Sequence, residues 1–390
     1  MIFLDQPYVS DFLRKTIREY DLPVVLTEAA RAFGVDDLPS AITEQQAVER
    51  ARSARDPNLY MVSESSIGWI AEHLADTPLP ARIEQFKNKA AFRKATASLF
   101  PDFRYREITL AELDDFDPSD FPLPFVIKPT VGFFSLGVQR VGTAEDWPAA
   151  LAAIKADVAR AAALFPREVL DTSHFLLEQC IEGREFAMDA YYDAQGEPVI
   201  LSVLEHIFAS ESDTSDRVYV TSREIVLANL ERFTRLLEDL GRVFDVHNLP
   251  VHVEVRIDAD GTIWPIEVNP MRFGGWCTTA DLTHLAFGVN PYACYFEQGR
   301  PDWDEALRGK GGQLFAIVAL GNSTGIDGQD IQSFDHDALV ARFEHPLELR
   351  KTDFRRYPIF GFVFTQTRAE NFAELDWALR SDLREFVTRS

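Results

Sequence analysis

Residues 251–269 read VHVEVRIDADGTIWPIEVN. Two alternating, β-branched runs flank the turn-forming DADG, and the pattern predicts an antiparallel hairpin. Side chains two apart on a strand share a face. With the turn centred on Ala259–Asp260, His252 falls opposite Glu267, and Glu254 lies on its diagonal. His252, Glu254, Glu267 and Asn269 then share one face, and Val253, Val255, Ile266 and Val268 the other. Two glutamates so placed repel unless a counter-charge sits between them. A Mg²⁺ ion would serve, taking a few carboxylate oxygens and completing its shell with water and phosphate. Ion pairing to Arg256 or Arg272 would serve equally, and the hairpin alone leaves both open.

Outward from the hairpin, the chain has 390 residues, 46% of them hydrophobic and 12% aromatic, with thirty phenylalanines. That is the material for two or three domains with real cores. Acidic residues outnumber basic ones 62 to 39, a net charge of −23. Such a surface repels nucleic acid and anionic membranes, so neither is an expected partner. Cys180, Cys277 and Cys294 are odd in number and lack CxxC spacing. They suit a reducing compartment and argue against a disulfide framework or structural zinc. The opening MIFLDQPYVSDFLRK lacks the basic, then apolar, then small-residue order of a secretory leader. No run of about 18 apolar residues predicts a membrane helix. The expectation is a soluble cytoplasmic protein.

The first 85 residues alternate strand-like MIFLD, LPVVLTE and NLYMVSES with helical VSDFLRKTIREY, ITEQQAVERARS and SIGWIAEHLA. This predicts a small parallel α/β domain. EQFKNKAAFRKATASLF reads as one helix with a basic face, and DPSDFPLP as a break. Beyond residue 181 two hairpins, the long amphipathic SREIVLANLERFTRLLEDLGRVFD and the apolar strands QLFAIVAL and PIFGFVFTQ predict antiparallel sheet with helices on it. A last helix is expected near residues 370–388. The class is therefore mixed α/β and α+β.

Lys128 ends the apolar strand of PFVIKPTVGFFSLGV, ahead of a turn with Gly132 and Gly137. A lysine and turn amides there can meet a phosphate. Neither GxxxxGK[ST] nor GxGxxG is present, and a snorkelling strand-end lysine is the plainer reading. In FLLEQCIEGREF, Glu178 ends a strand and Gly183 and Glu185 follow a short crossing. Those carboxylates could read an adenine and a ribose, or be solvated glutamates of a plain hinge.

Taken in order, NK at 88–89, VIKP at Lys128, the small turn, LLEQCIEGREF and the hairpin ending IEVNP resemble the ATP-grasp superfamily of ligases. That superfamily includes D-alanine–D-alanine ligase and biotin carboxylase. The resemblance runs from about residue 85 to 300. Its most specific element is the spacing of Glu254, Glu267 and Asn269. It implies a pre-ATP-grasp domain over 1–85, a central and lid subdomain over 86–180, a C-terminal subdomain with the Mg²⁺ site over 181–310, and an extension over 311–390 packed on the sheet. It further implies that Lys89, Lys128 and the turn at Ser135 and Gly137 contact nucleotide phosphates. Glu178 and the backbone of Cys180 and Ile181 would hold adenine, and Glu185 the ribose. Glu254, Glu267 and Asn269 would hold one or two Mg²⁺ ions. His206 falls where many members place a lysine facing the γ-phosphate.

Two departures stand out. Phe133 and Phe134 replace the small residues usual in the phosphate turn. Arg272 follows Asn269 by three residues, where biotin carboxylase-like members place a catalytic arginine two after. Arg272 and His252 are both left as catalytic candidates, His252 at a position some members fill with arginine. Arg272 could pair with a substrate carboxylate or with Glu267, and Gly274 and Gly275 of MRFGGW allow close ligand approach.

The implied reaction joins a carboxylate, activated by ATP as an acyl phosphate, to an amine, with an amino acid or small peptide as substrate and ADP released. A thiol or bicarbonate acceptor, or a non-catalytic ATP-binding module, remains as alternative. FASESDTSDRVYVTSRE, after His206, reads as a mobile lid or a surface loop. A homodimer is a further implication, since members are often dimers.

Overall fold

The computed structural model describes residues 1–390 except 36, 132–136, 163–170, 211–212, 214 and 390. Ser135, Phe133, Phe134 and part of the 208–224 segment therefore lie outside the described residues.

In the N-terminal unit, Ile2–Phe3 pairs in parallel with Tyr60–Met61, and parallel bridges join Ile2 to Val24 and Val25 to Ile42. Helices Asp11–Glu19, Glu44–Ser53 and Ile67–His73 surround these strands. The first two start on capping hydroxyls of Ser10 and Thr43, which accept the orphan N–H groups of the opening turn.

The single helix expected over 84–100 is two: α1 (Leu79–Lys87) and α2 (Lys89–Thr96). Asn88 breaks it. Its backbone leaves the helical region at ψ 106°, and its Oδ1 accepts from the N–H groups of Ala90 and Ala91, both at 3.1 Å. Lys89 thereby becomes the first residue of α2.

A small antiparallel sheet follows: β1 (Tyr105–Thr109), β2 (Phe125–Val131), β3 (Gln139–Val141) and β4 (Asp171–Gln179), in order β1-β4-β2-β3. Ile108, Phe125, Trp147, Phe175 and Leu177 form its own core.

The large sheet is wholly antiparallel. Its strands are β5 (Arg184–Tyr192), β6 (Pro198–Ile207), β7 (Val218–Thr221), β8 (Leu249–Ile257), β9 (Ile263–Pro270), β10 (Gln313–Gly321), β11 (His345–Lys351) and β12 (Ile359–Arg368). Their order is β9-β8-β5-β6-β7-β10-β12-β11. Strands β10, β11 and β12 from the C-terminal part of the chain thus continue the same sheet. Helix α3 (Arg223–Phe244) packs on it, with Phe233, Leu237 and Phe244 buried. Phe86 and Phe92 of α1 and α2 stack near Phe244, with ring centroids 4.3 and 5.6 Å away, so both helices pack on the large sheet's core. The helix expected near 370–388 is shorter, Ala373–Arg380, and Val387–Arg389 is a strand paired with Ile331–Phe334.

The β8–β9 hairpin forms with a different register. Glu254 lies directly opposite Glu267, and His252 opposite Asn269. Two extra residues account for the shift. The loop is closed by Asp258, whose N–H donates to the Thr262 carbonyl at 3.1 Å, and Gly261 takes φ +83°. A bulge then falls between Glu254 and Val255, where the partner strand carries Pro265, which has no N–H for the ladder. Ile266, expected on the core face, is instead the unpaired bulge residue and lies outside the core, but beyond it the shift of two restores the faces. His252, Glu254, Glu267 and Asn269 stay together, while Val253, Val255 and Val268 enter the core.

Candidate active site

The polar face of the large sheet gathers three groups of charges. The first lies on the hairpin. Lys89 Nζ donates to Glu267 Oε1 at 3.0 Å, so the counter-ion of Glu267 comes from the start of α2. Among the described residues Glu254 pairs only with the Nε2 of His252, at 3.6 Å. Burial and then the neighbouring Glu267 push the Glu254 carboxyl above its ordinary range, against the pull of His252. His252 Nδ1 lies 2.8 Å from Asp189 Oδ1. Burial opposes charge on His252, but Asp189 and Glu254 outweigh it and lift its pKa to about 9. Asp189, fully buried on β5, also accepts from the N–H of Gly274 at 2.9 Å and so ties this strand to the MRFGGW turn.

The second group spans the small sheet and α2. Glu178 receives Lys128 Nζ on one oxygen and Arg93 Nε on the other, both at 2.5 Å. All three side chains are buried. Burial alone would raise the Glu178 pKa, but Arg93 and Lys128 hold it down to about 2. Lys128 is lowered, first by burial and then by Arg93 and Lys89, because this corner holds more positive than negative charge. Lys89 lies within electrostatic reach of both Glu178 and Glu267 and links the two groups.

The third group is the hinge between sheets. Glu185 Oε1 meets His206 Nδ1 at 2.9 Å, and its Oε2 accepts from Arg256 Nε at 2.8 Å. Arg256 Nη1 also donates to the Ile181 carbonyl at 2.7 Å. The second nitrogen of His206 lies 3.0 Å from the Ser215 carbonyl, and its ring stacks on Tyr219. The Cys180 N–H donates to the Pro124 carbonyl at 3.1 Å. Gly183 makes the crossing with φ +115°, where a Cβ would sit 2.0 Å from the Ile257 carbonyl oxygen. Gly137, beside the phosphate turn, has φ +72° and donates to Asp157 Oδ2 at 3.3 Å.

Arg272 pairs with neither hairpin glutamate. Its Nη2 donates to Glu64 Oε1 at 2.6 Å, and Lys87 Nζ lies 3.1 Å from Glu64 Oε2. Burial would raise the Glu64 pKa; Arg272 and Lys87 bring it to about 2. Arg272 still lies within electrostatic reach of Glu267 and Glu254.

The structure thus joins Lys89, His252, Glu254, Glu267 and Asn269 in one place, with Lys128 and Glu178 linked to them through Lys89. Glu185 and His206 belong to the hinge, each with both polar atoms engaged. Glu64, Arg93 and Asp189 escape the sequence reading. Arg93 follows Lys89 by four on one helix face, and Asp189 follows Glu185 by four on one strand face, which is the signal each offered. Nothing local marks Glu64.

Residues 121–280 match the family model described as the ATP-grasp domain. Over the whole chain the fold is similar to an L-amino acid ligase from Bacillus licheniformis, at 18% identity and TM-score 0.67, covering 100% of this chain and 97% of that one. It is also similar to a biotin carboxylase from Campylobacter jejuni, at 12% identity and TM-score 0.62, covering 100% and 92%. An N5-carboxyaminoimidazole ribonucleotide synthetase from Thermotoga maritima aligns at 13% identity and TM-score 0.61, covering 99% and 97%. No curated protein matches in sequence. Mixed α/β architecture, the glutamate hairpin and the domain match define an ATP-grasp fold. Residues 121–280 thus match an ATP-grasp domain, and the chain as a whole has the fold of these solved ligases and carboxylases.

Proposed function

We propose that the protein is an ATP-dependent ligase that activates a carboxylate as an acyl phosphate and joins it to an amine, with an amino acid or small peptide as substrate. One observation carries the reading: Glu254 and Glu267 face each other across the hairpin with Lys89 as the only ion-paired cation on Glu267 among the described residues.

The donor set suits Mg²⁺. Among the described residues no three His, Cys, Asp or Glu side chains are grouped to hold a metal alone. Two carboxylates and the buried Asn269 amide form a half-site of the kind Mg²⁺ completes with water and phosphate oxygens. Burial and the facing Glu267 both raise the Glu254 pKa, and a cation between the two carboxylates would relieve their repulsion. When bound, Mg²⁺ would neutralise charge on the transferring phosphoryl group.

The chain's own residues supply the rest. Lys89 and Lys128 offer cations to the phosphates. The crossing at Cys180–Gly183 is the place for adenine. A carboxylate oxygen of the substrate attacks the γ-phosphorus, and ADP leaves with the bridging oxygen. The amine then attacks the acyl carbon, loses a proton and expels phosphate. His252, held as a cation by Asp189, faces the metal carboxylates and is placed to stabilise oxyanion charge. Arg272, with its guanidinium on Glu64, lies at the entrance to the MRFGGW turn. The likeness to the L-amino acid ligase supports an amine acceptor. A dimeric state rests on likeness to a 2-oxoglutarate carboxylase domain described as a dimer.

The test is turnover: MgATP with single amino acids and pairs of them, following ADP, phosphate and product mass. Acid-dependent ADP with a new amide supports the reading; an acyl thioester or a carboxylated product would move it to another acceptor.

A further inference from the structure

Arg93 has no part in the reaction as described. It sits on α2, one turn after Lys89, with its guanidinium 4.0 Å from the centre of the Phe103 ring. Its side chain is 3% exposed, its Nε donates to Glu178, and its Nη1 and Nη2 are buried with no hydrogen-bond partner among the described residues. The other oxygen of Glu178 holds Lys128. Two buried cations therefore share one carboxylate, with Lys89 within electrostatic reach of both Lys128 and Glu178.

Such an arrangement is a poor way to gain stability. Buried donors without partners cost free energy, and buried ion groups are often replaceable by apolar side chains without loss. Lys128 and Glu178 alone would make a neutral pair, with the lysine's charge spent on its partner.

Resting on the nucleotide reading above, we propose that Arg93 is a positioning residue for the nucleotide: by sharing Glu178 it leaves this corner one positive charge in excess and keeps Lys128 available to phosphate oxygens. The direction of the Lys128 pKa agrees, since burial and then Arg93 disfavour its charge, and an incoming phosphate would relieve that excess. A purely structural Arg93 would instead rivet α2 to β4.

The two roles separate in ADP binding without metal, measured by calorimetry beside thermal unfolding for each protein. Arg93→Met should weaken ADP roughly tenfold, the scale of one charge-assisted hydrogen bond. Arg93→Lys, which keeps the charge, should lie nearer wild type. The double variant Arg93→Met with Glu178→Gln again leaves one excess positive charge, so it should regain most of the affinity. Should Arg93→Met fail to fold, Arg93→Gln takes its place. Wild-type affinity in the single variant, or a double variant no tighter than the single, overturns the proposal. Lys128→Ala tells the two readings apart. If it binds ADP like wild type, the nucleotide reading fails as well; if it is weak while Arg93→Met is not, only the role of Arg93 is lost.

Discussion

Glu254 and Glu267 stand opposite one another on neighbouring strands, an arrangement that costs stability unless cations answer it. Lys89 answers one. Glu267→Gln should reduce ATP turnover by about 10²-fold or more, the scale on which lost charge stabilisation at a reacting centre is felt, with little change in thermal unfolding. Lys128→Ala should lower turnover to a similar degree while also costing stability through the lost pair with Glu178, and full activity in both variants would refute the site. Glu64 and Glu178 add a pH dependence. Both are held at about 2 against an ordinary 4.5. Their ion pairs stabilise the folded state fully above pH 4.5, and that contribution fades as pH falls toward 2. Protonating each across that range removes on the order of 3 kcal/mol. Urea midpoints from pH 6 to pH 2 (roughly the span of the carboxylate titration) should fall steeply for wild type and more gently for Glu64→Gln. At this scale the candidate residues were legible because carboxylates and lysines at strand ends are conspicuous in an apolar context. Their partners were not. Arg272 meets Glu64, 208 residues away in sequence, and no local pattern announces such a contact.

Among the elements, the hairpin was legible as a hairpin but not in its register. A three-residue loop with Gly261 at positive φ and a bulge beside Pro265 each add a residue. Faces survive because the two insertions cancel in parity, so the site residues stayed together. The break at Asn88 hid because KNKAAFRK has good helix formers on both sides, and a capping asparagine there looks like any polar surface residue. Asn88→Ala should cost about 1 kcal/mol of stability through the lost cap. It should also weaken nucleotide binding, because Lys89 depends on the start of α2 for its position; unchanged nucleotide affinity would show that Lys89 is fixed by Glu267 alone. Gly183→Ala is more severe. At φ +115° with the Ile257 carbonyl oxygen 2.0 Å from the would-be Cβ, the crossing must shift, at a cost on the order of 3 kcal/mol. Chemical denaturation of that variant would read the loss directly.

Across the whole molecule, a small parallel unit, a four-stranded sheet and an eight-stranded sheet meet around one set of charges. Alternating patterns made the strands visible, and their antiparallel order followed from short turns. That β10 and β12 belong to antiparallel sheet was legible, but β11 and the order in which the three strands extend the large sheet were not, since strands distant in sequence join by shape and burial rather than by any motif. We propose that ligation with ATP takes place at this junction. Its most direct test is to incubate the protein with MgATP and a pool of amino acids and small carboxylic acids, following ADP and phosphate, with Glu267→Gln alongside. The account predicts ADP that appears only with a particular acid, a matching new amide by mass, and near silence from the variant. ADP release indifferent to every acid, or equal release from Glu267→Gln, would contradict it.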